Sequence, residues 1–388
     1  MNPNLLTDRA VWCLSAAAVG DALGGATEGW EAREIDEHYG GPVEGVVQSI
    51  RHARGLVKAF SPFWKGDGHV TDDTLMTRVL VQAYAAKRDH LDAYEVERLL
   101  VPAIVDEKMW VPELDREELL YHRLFLAEKW LVLKLRYSHT DPRDAGVGNI
   151  VNCGAAMYIA PVGIANAGDP DGAYREALDL TAAHQSSYGR EAAGVLAAVV
   201  AEAMRADATP DSVVETALRL AKDGTRSAIE AVTQAASALD GWRGGGLAVL
   251  RKAFEPYDSV GERYAQPALD ARIPSRVRSI EELPVALGLL VACKGDVDET
   301  ILGGVNYGRD SDSIASMGGA LAGALGNEPR REWVAAVSSA SKLDLEAPGR
   351  TMAEIALELY ARDSERHERR SQSLAELGAG EVPAPAAT

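Results

Sequence analysis

The chain has 388 residues, 47% hydrophobic, 25% charged and 6% aromatic, with 40 basic against 58 acidic side chains and a formal charge of −18. That length supports one large core or two ordinary ones, and the abundance of Ala and Gly suits tightly packed helices better than a sheet sandwich. A surface this acidic repels nucleic acid and anionic membranes, so neither is expected as a partner, while one local cationic site still suffices for a phosphate-bearing small molecule.

Residues 9–20, "RAVWCLSAAAVG", carry no charge past Arg9 and predict a helix buried on most sides. The run imitates a secretory h-region. No basic cluster precedes it and Asp21 follows directly, so we read a core helix. Residues 24–70 are loop-rich, with "GGATEG", "YGGPVEG" and "SPFWKGDGH" as breakers. From Asp73 to about Ala86, the positions Leu75, Met76, Val79, Leu80 and Ala83 follow helical spacing. "YEVERLLVPAIV" and "REELLYHRLFLAEKWLVLKL" predict two amphipathic helices, with Pro112 of the intervening "MWVPEL" as a stop. The nearly charge-free "GVGNIVNCGAAMYIAPVGIANAGDP" reads as a buried segment kinked at Pro161, at the centre of the protein.

Helices are then expected at about 171–183, 188–206, 210–222, 225–239, 281–293 and 296–302, with "GGVNYGR" as a loop. Another helix opens at "DSDSIASMGGALAGAL", and two more lie near 330–341 and 350–365. The Ala-, Pro- and Gly-rich end predicts a disordered tail over 366–388. Period-2 alternation long enough for a sheet is absent. The expectation is an all-α fold, a single large helical domain over 1–365. Cys13, Cys153 and Cys293 are far apart and form no CxxC, so neither a disulfide framework nor a zinc site is expected, and a reducing, cytoplasmic location fits. No apolar run reaches the ~20 residues of a membrane span.

Two short segments carry the chemistry. "VTDDTLM" sets Asp72 and Asp73 side by side at a helix mouth, and "GRDSDSIA" sets Asp310 and Asp312 among hydroxyls at another. For either alone, capping of free backbone N–H groups is an adequate account. Adjacent carboxylates repel, however, and a cap gains little from a second acid. Both clusters offer oxygen donors only, the set that hard divalent cations such as Mg²⁺ or Mn²⁺ take. Gly318, Gly319 and Gly323 sit within the second helix, each costing about 1 kcal/mol relative to Ala, which calls for a close backbone approach.

With these come "GDALGGATE" (Gly20–Glu28), "GAAMYIAPVG" (Gly154–Gly163) and "AAHQSSYGREAAG" (Ala182–Gly194). In this order, from Gly20 to Asn327, the motifs resemble those of the ADP-ribosylglycohydrolase family. The resemblance implies an all-α fold with two Mg²⁺ (or Mn²⁺) in a central cleft and substrates carrying ADP-ribose, either as small molecules or linked to protein. It implies Thr71, Asp72, Asp73, Asp310, Asp312 and Ser313 as metal ligands, with Ser313 in place of a usual threonine. Glu28 matches an acid that is a candidate general base, the alternative being a loop surface acid. Asp72 and Asp310 are the cluster acids placed to assist. Asp21 reads instead as a buried acceptor tying loops together. His184 matches a histidine near the substrate, the alternative being a core residue.

The chain departs from the family around the presumed substrate. Tyr158 stands where Arg is common, Cys153 where Asn is common, and Arg309 interrupts a usual Gly-Gly-Asp. Arg309 is either a phosphate anchor or a salt-bridge partner. Trp64, Trp110, Tyr158, Tyr188 and Tyr307 fall in or near loops expected around the cleft, where a ring of the substrate could stack; Trp130 reads as a core filler. Three functions are carried forward. The first is a metal-dependent hydrolase of an ADP-ribosyl or related ribosyl conjugate. The second is the same chemistry on a free nucleotide-, nucleoside- or NAD-derived metabolite. The third is a non-catalytic relative like the family's lens crystallin.

Overall fold

The N-terminal helix, Leu5–Gly24, is buried on nearly all sides from Ala10 onward, as its charge-free sequence requires. In this computed structural model, which describes residues 4–55, 66–257 and 279–378, its principal partner is the helix Ser311–Ala324, the DSDS helix. Glycine sets the distance between them. A Cβ at Gly20 would lie 2.2 Å from the Ala315 carbonyl oxygen, and one at Gly319 would lie 2.6 Å from that of Ala16. This contact offsets the helix-breaking tendency of the glycines and holds two backbones together along their length.

Around this pair stand further helices. The helix Val297–Tyr307 runs through Gly303 and Gly304, which the sequence reading assigns to a loop. A Cβ at Gly304 would meet Ala315 Cα at 2.7 Å, so here too a glycine admits the DSDS helix. The helix Asp72–Lys87, the TDD helix, adjoins the N-terminal helix. On another side, Ser187–Ala203 packs on Pro170–Thr181 and on Ala160–Ala165, while Asp223–Ala236 packs on Ser279–Ala292. The C-terminal helix, Ala347–Glu376, lies across the N-terminal helix and continues through 366–376, residues whose composition reads as tail. Its outer part carries Arg366, paired with Asp363 and Asp89, and a Gln372–Glu376 contact one turn apart.

The architecture is a single all-α helical domain, with local departures from the sequence reading. Residues 116–119 form not the start of a helix but one strand of a small antiparallel hairpin, Lys108–Val111 with Arg116–Leu119. Pro112 and Asp115, the latter at φ 51°, turn the chain there, and after one 3-10 turn at Leu120–His122 the α-helix resumes at Leu126–Val132. Pro161 does not kink a helix. It opens one, Ala160–Ala165, where its missing N–H has no intrahelical role to lose. The segment 153–165 is buried as expected. Trp64 lies outside the described residues. Among the described residues, no helix is long and apolar enough to cross a membrane.

Candidate active site and metal centre

The end of the N-terminal helix, the start of the TDD helix and the start of the DSDS helix meet at one point. Asp21, fully buried, is what joins the first two. Its carboxylate accepts from the Thr71 backbone N–H at 3.0 Å, the Thr71 hydroxyl at 2.6 Å, the Thr74 backbone N–H at 3.1 Å and the Thr74 hydroxyl. The TDD helix is therefore capped by an acid from another helix, and Asp72 and Asp73 are released from capping it. Burial still lifts the Asp21 carboxyl to about 6 against the pull of these donors. The DSDS helix is seated by Ser311, whose hydroxyl donates to the Gly24 carbonyl at 2.9 Å and accepts from the Thr27 hydroxyl at 2.9 Å.

Carboxylate oxygens of Asp21, Asp73 and Asp312 lie within 4.8 Å of one another, and so do those of Glu28, Asp310 and Asp312. Asp312 belongs to both groups. Burial, then the neighbouring acids, holds Asp73 and Asp312 well above the usual carboxylate range. Among the described residues, Asp73 Oδ1 is buried and meets no hydrogen-bond donor. An orphaned buried carboxylate oxygen among like charges is unstable unless positive charge arrives. An oxygen-only donor set with such an oxygen fits hard divalent cations. Thr71 spends its hydroxyl proton on Asp21, which leaves its oxygen lone pairs available. Ser313 lies 3.4 Å from Cys153 Sγ and donates to Asp73.

Glu28 is a buried residue, not a surface acid. Desolvation first, then Asp310, raises its carboxyl to about 7, while Arg51 pulls the other way. Asp72 is held by a cation that the sequence reading did not single out. Arg123 Nη1 lies 3.1 Å from Asp72 Oδ1 while its Nε pairs with Glu113, all three side chains being buried. Two further acids also escaped notice. Glu128 is buried, and desolvation followed by Asp72 lifts it to about 8. Glu282 is fully buried, raised well above the usual range by desolvation and then Asp310. Glu128 sits in a helix whose charges read as a solvent face, and Glu282 in a first turn where acids commonly serve the helix dipole. Only the pair of unexplained neighbouring acids at 281–282 hinted at more.

The residues read as substrate contacts separate into groups. Tyr158 and His184 are brought together, their rings stacked at 5.8 Å with the Tyr158 hydroxyl 3.0 Å from His184 Nδ1, both fully buried. Burial lowers His184 to about 4, so the ring is neutral, and its Nε2 lies 3.7 Å from Glu128. Tyr307 and Arg309 turn to Glu281. The Tyr307 hydroxyl donates at 2.9 Å, and Arg309 pairs at 2.8 Å with Glu281 and at 3.1 Å with Glu31. Of the two roles open for Arg309, these distances match the salt bridge. Tyr188 is half-buried, with its hydroxyl end over Gly224. Trp130 donates to the Ala145 carbonyl at 3.0 Å, and Trp110 lies under the Lys342 ammonium.

A family sequence model described as ADP-ribosylglycohydrolase matches residues 1–369. An uncharacterised protein of Archaeoglobus fulgidus is 26% identical over 326 residues, spanning 83% of this chain and 89% of that protein. The uncharacterised protein YegU of Escherichia coli K12 is 23% identical over 343 residues, 88% of this chain and 92% of YegU. A solved structure described as an ADP-ribosylglycohydrolase-related protein complex shares the fold, with a TM-score of 0.60 at 20% identity over 90% of this chain and 99% of that one.

Proposed function

Since the chain belongs to the ADP-ribosylglycohydrolase family, we propose that it hydrolyses the glycosidic bond at ribose C1 of an ADP-ribosyl or related ribosyl conjugate, using two Mg²⁺ or Mn²⁺ ions. The observation that carries this reading is the sharing of Asp312 between two groups of acids, buried but for the half-buried Asp310. Thr71, Asp73 and Asp312 would hold one cation, and Asp310, Asp312 and Ser313 the other, with Asp72, paired with Arg123, completing the donor set. Bound there, the cations supply Lewis-acid chemistry, polarising ribose hydroxyls and acidifying a water.

The protein's own groups do the rest. Asp21 locks the entry to the TDD helix, where Asp73 lies close to Asp312 of the DSDS helix. Glu28, close to Asp310 and Asp312, stands where a general base would take a proton from the attacking water. Arg123 fixes the direction of Asp72. The concentration of negative charge favours an oxocarbenium-like transition state at C1. Neutral His184 holds the Tyr158 hydroxyl.

The test is release of ADP-ribose from ADP-ribosyl conjugates by protein stripped with chelator and then reloaded. Activity should require Mg²⁺ or Mn²⁺ and disappear in Asp73→Ala. Full turnover with chelator present would end this reading. One observation favours the second substrate reading, a free nucleotide-, nucleoside- or NAD-derived metabolite. Arg309 is engaged by Glu281 and Glu31, and Tyr158 occupies the place where family members often carry Arg. A panel of ADP-ribosyl-arginine, ADP-ribosyl-serine and small N-ribosides separates the two, since turnover of the protein conjugates alone excludes the metabolite. The non-catalytic reading is disfavoured by the retained acids and would return if calorimetry detected no Mg²⁺ or Mn²⁺ binding.

A further inference from the structure

Next to the oxygen-only acids lies a chemically different group of side chains. Cys153 Sγ, a Glu282 carboxylate oxygen and an Asp310 carboxylate oxygen are within 4.8 Å of one another. They come from three separate segments: the short turn Cys153–Ala155, the first turn of Ser279–Ala292 and the residue preceding the DSDS helix. The thiol donates to Asp310 Oδ2 at 3.2 Å and lies 3.4 Å from the Ser313 hydroxyl. Glu282 is the second and independent observation. It is 0% exposed, and among the described residues no Lys, Arg or His pairs with it; its carboxyl faces its own backbone N–H and the Asp310 carboxyl. Its neighbour Glu281 has the opposite character, since Tyr307, Arg309 and Arg251 all serve it. A buried carboxylate that no basic side chain serves, placed against a thiol and a second acid, has the donor surroundings of a cation ligand.

We propose that Cys153, Glu282 and Asp310 form a third cation position, of mixed sulfur and oxygen donors, that takes a borderline or soft divalent cation such as Zn²⁺ in preference to Mg²⁺. Thiolate sulfur selects such ions, whereas the oxygen-only donors next door suit hard ones. Three protein donors leave one place open in a tetrahedral shell. On binding, the cation forms a bond to Cys153 Sγ and the thiol proton leaves to solvent; no electron transfer is involved. The spacing of cysteines in the sequence argues against a zinc site, and a single thiol assembled with two distant acids would leave no spacing to read. Asp310 is common to this position and to the pair proposed above, so occupancy of one bears on the other.

Cd²⁺ is the probe, because a cadmium–thiolate bond gives an ultraviolet charge-transfer absorption whatever reaction the protein catalyses. Titration of the full chain, stripped with chelator, should produce that band. Cys153→Ser should abolish it although Cys13 and Cys293 remain, and Glu282→Gln should weaken Cd²⁺ binding by about tenfold or more. Mn²⁺ binding followed by electron paramagnetic resonance should persist in both variants, which shows that they fold and keep the oxygen donors. Cys153→Ala serves if the serine variant is poorly soluble. A band absent from the parent chain, or unchanged in the cysteine variants, overturns the proposal. Failure of ADP-ribose release alone leaves the absorbance result standing, so the two readings fail separately.

Discussion

Buried acids in this molecule are treated in two opposite ways. Glu176 accepts from the Tyr84 hydroxyl at 2.7 Å, the Leu91 N–H at 2.8 Å and the Asn166 amide at 2.7 Å, and it pairs with His90 at 2.5 Å. Asp73 and Asp312, equally buried, face other acids, and Asp73 Oδ1 meets no donor among the described residues. Burial alone therefore does not mark a functional carboxylate; the supply of donors does. Glu176 is complete in the folded chain, and ties the TDD helix, Pro170–Thr181 and, through His90 and Asp363, the C-terminal helix into one unit. On the proposed reading, the acid cluster is completed by the cations it binds.

This contrast is breakable by substitution. Asp312→Ala should lower ADP-ribose release by about 10³-fold or more, the scale of losing a principal electrostatic group. It should leave the metal-free melting temperature no lower, because a desolvated, repelled acid has been removed; single-turnover release and calorimetry read the two quantities. Glu176→Ala should do the reverse. It leaves a charged histidine and buried donors without their acceptor, a loss of about 3 kcal/mol in denaturant unfolding, with activity per folded molecule retained. A large activity loss there, or a large stability loss in Asp312→Ala, would erase the distinction.

The next effect is pH-dependent. The folded carboxyls of Asp21, Glu28 and Glu128 lie at about 6, 7 and 8, above unfolded values of about 4. Folded protein then binds more protons between those limits, so metal-free stability declines as pH rises from about 4 to about 8. Mg²⁺ should raise the melting temperature more at pH 8 than at pH 5. Equal shifts at both would mean the cluster binds no cation. The smallest effect belongs to His90, which the Glu176 hydrogen bond raises to about 9 from 6.5. Its contribution is full below about 6.5 and fades as pH climbs through 9. At this partly exposed ring, screening reduces it to on the order of 1 kcal/mol. His90→Gln should flatten that segment of the stability–pH curve.

What the sequence makes legible follows the same division. The TDD and DSDS segments announce themselves because they break local rules, placing like charges together at helix starts where one acid suffices. Asp21 is legible as an acceptor that ties loops, though not that it caps a helix fifty residues on. Glu128 and Glu282 obey local rules, as a charge in an amphipathic helix and an acid in a first turn, and only the packing shows them buried. Arg123 is hidden likewise, in a stretch whose helical pattern the hairpin at Lys108–Leu119 interrupts. Arg309 illustrates the limit from the other side. Its chemistry suits phosphate, yet the choice between phosphate and carboxylate rests with Glu281 and Glu31, which are distant in sequence.

The glycine-close seam between the N-terminal and DSDS helices has a further consequence, for the order in which the molecule comes into being. A nascent chain holding Asp21, Asp72 and Asp73 still lacks Asp310 and Asp312, and the glycine face of its first helix has no mate until residues 311–324 leave the ribosome. Contacts of such long sequence separation form late and slowly. The first helix, rich in Ala and nearly without charge, must wait in an unpartnered state that invites association with other chains or shelter by a chaperone. Acids that repel one another are thus brought face to face only once residues 311–324 have been made, and on the proposed reading cations find a finished site only then.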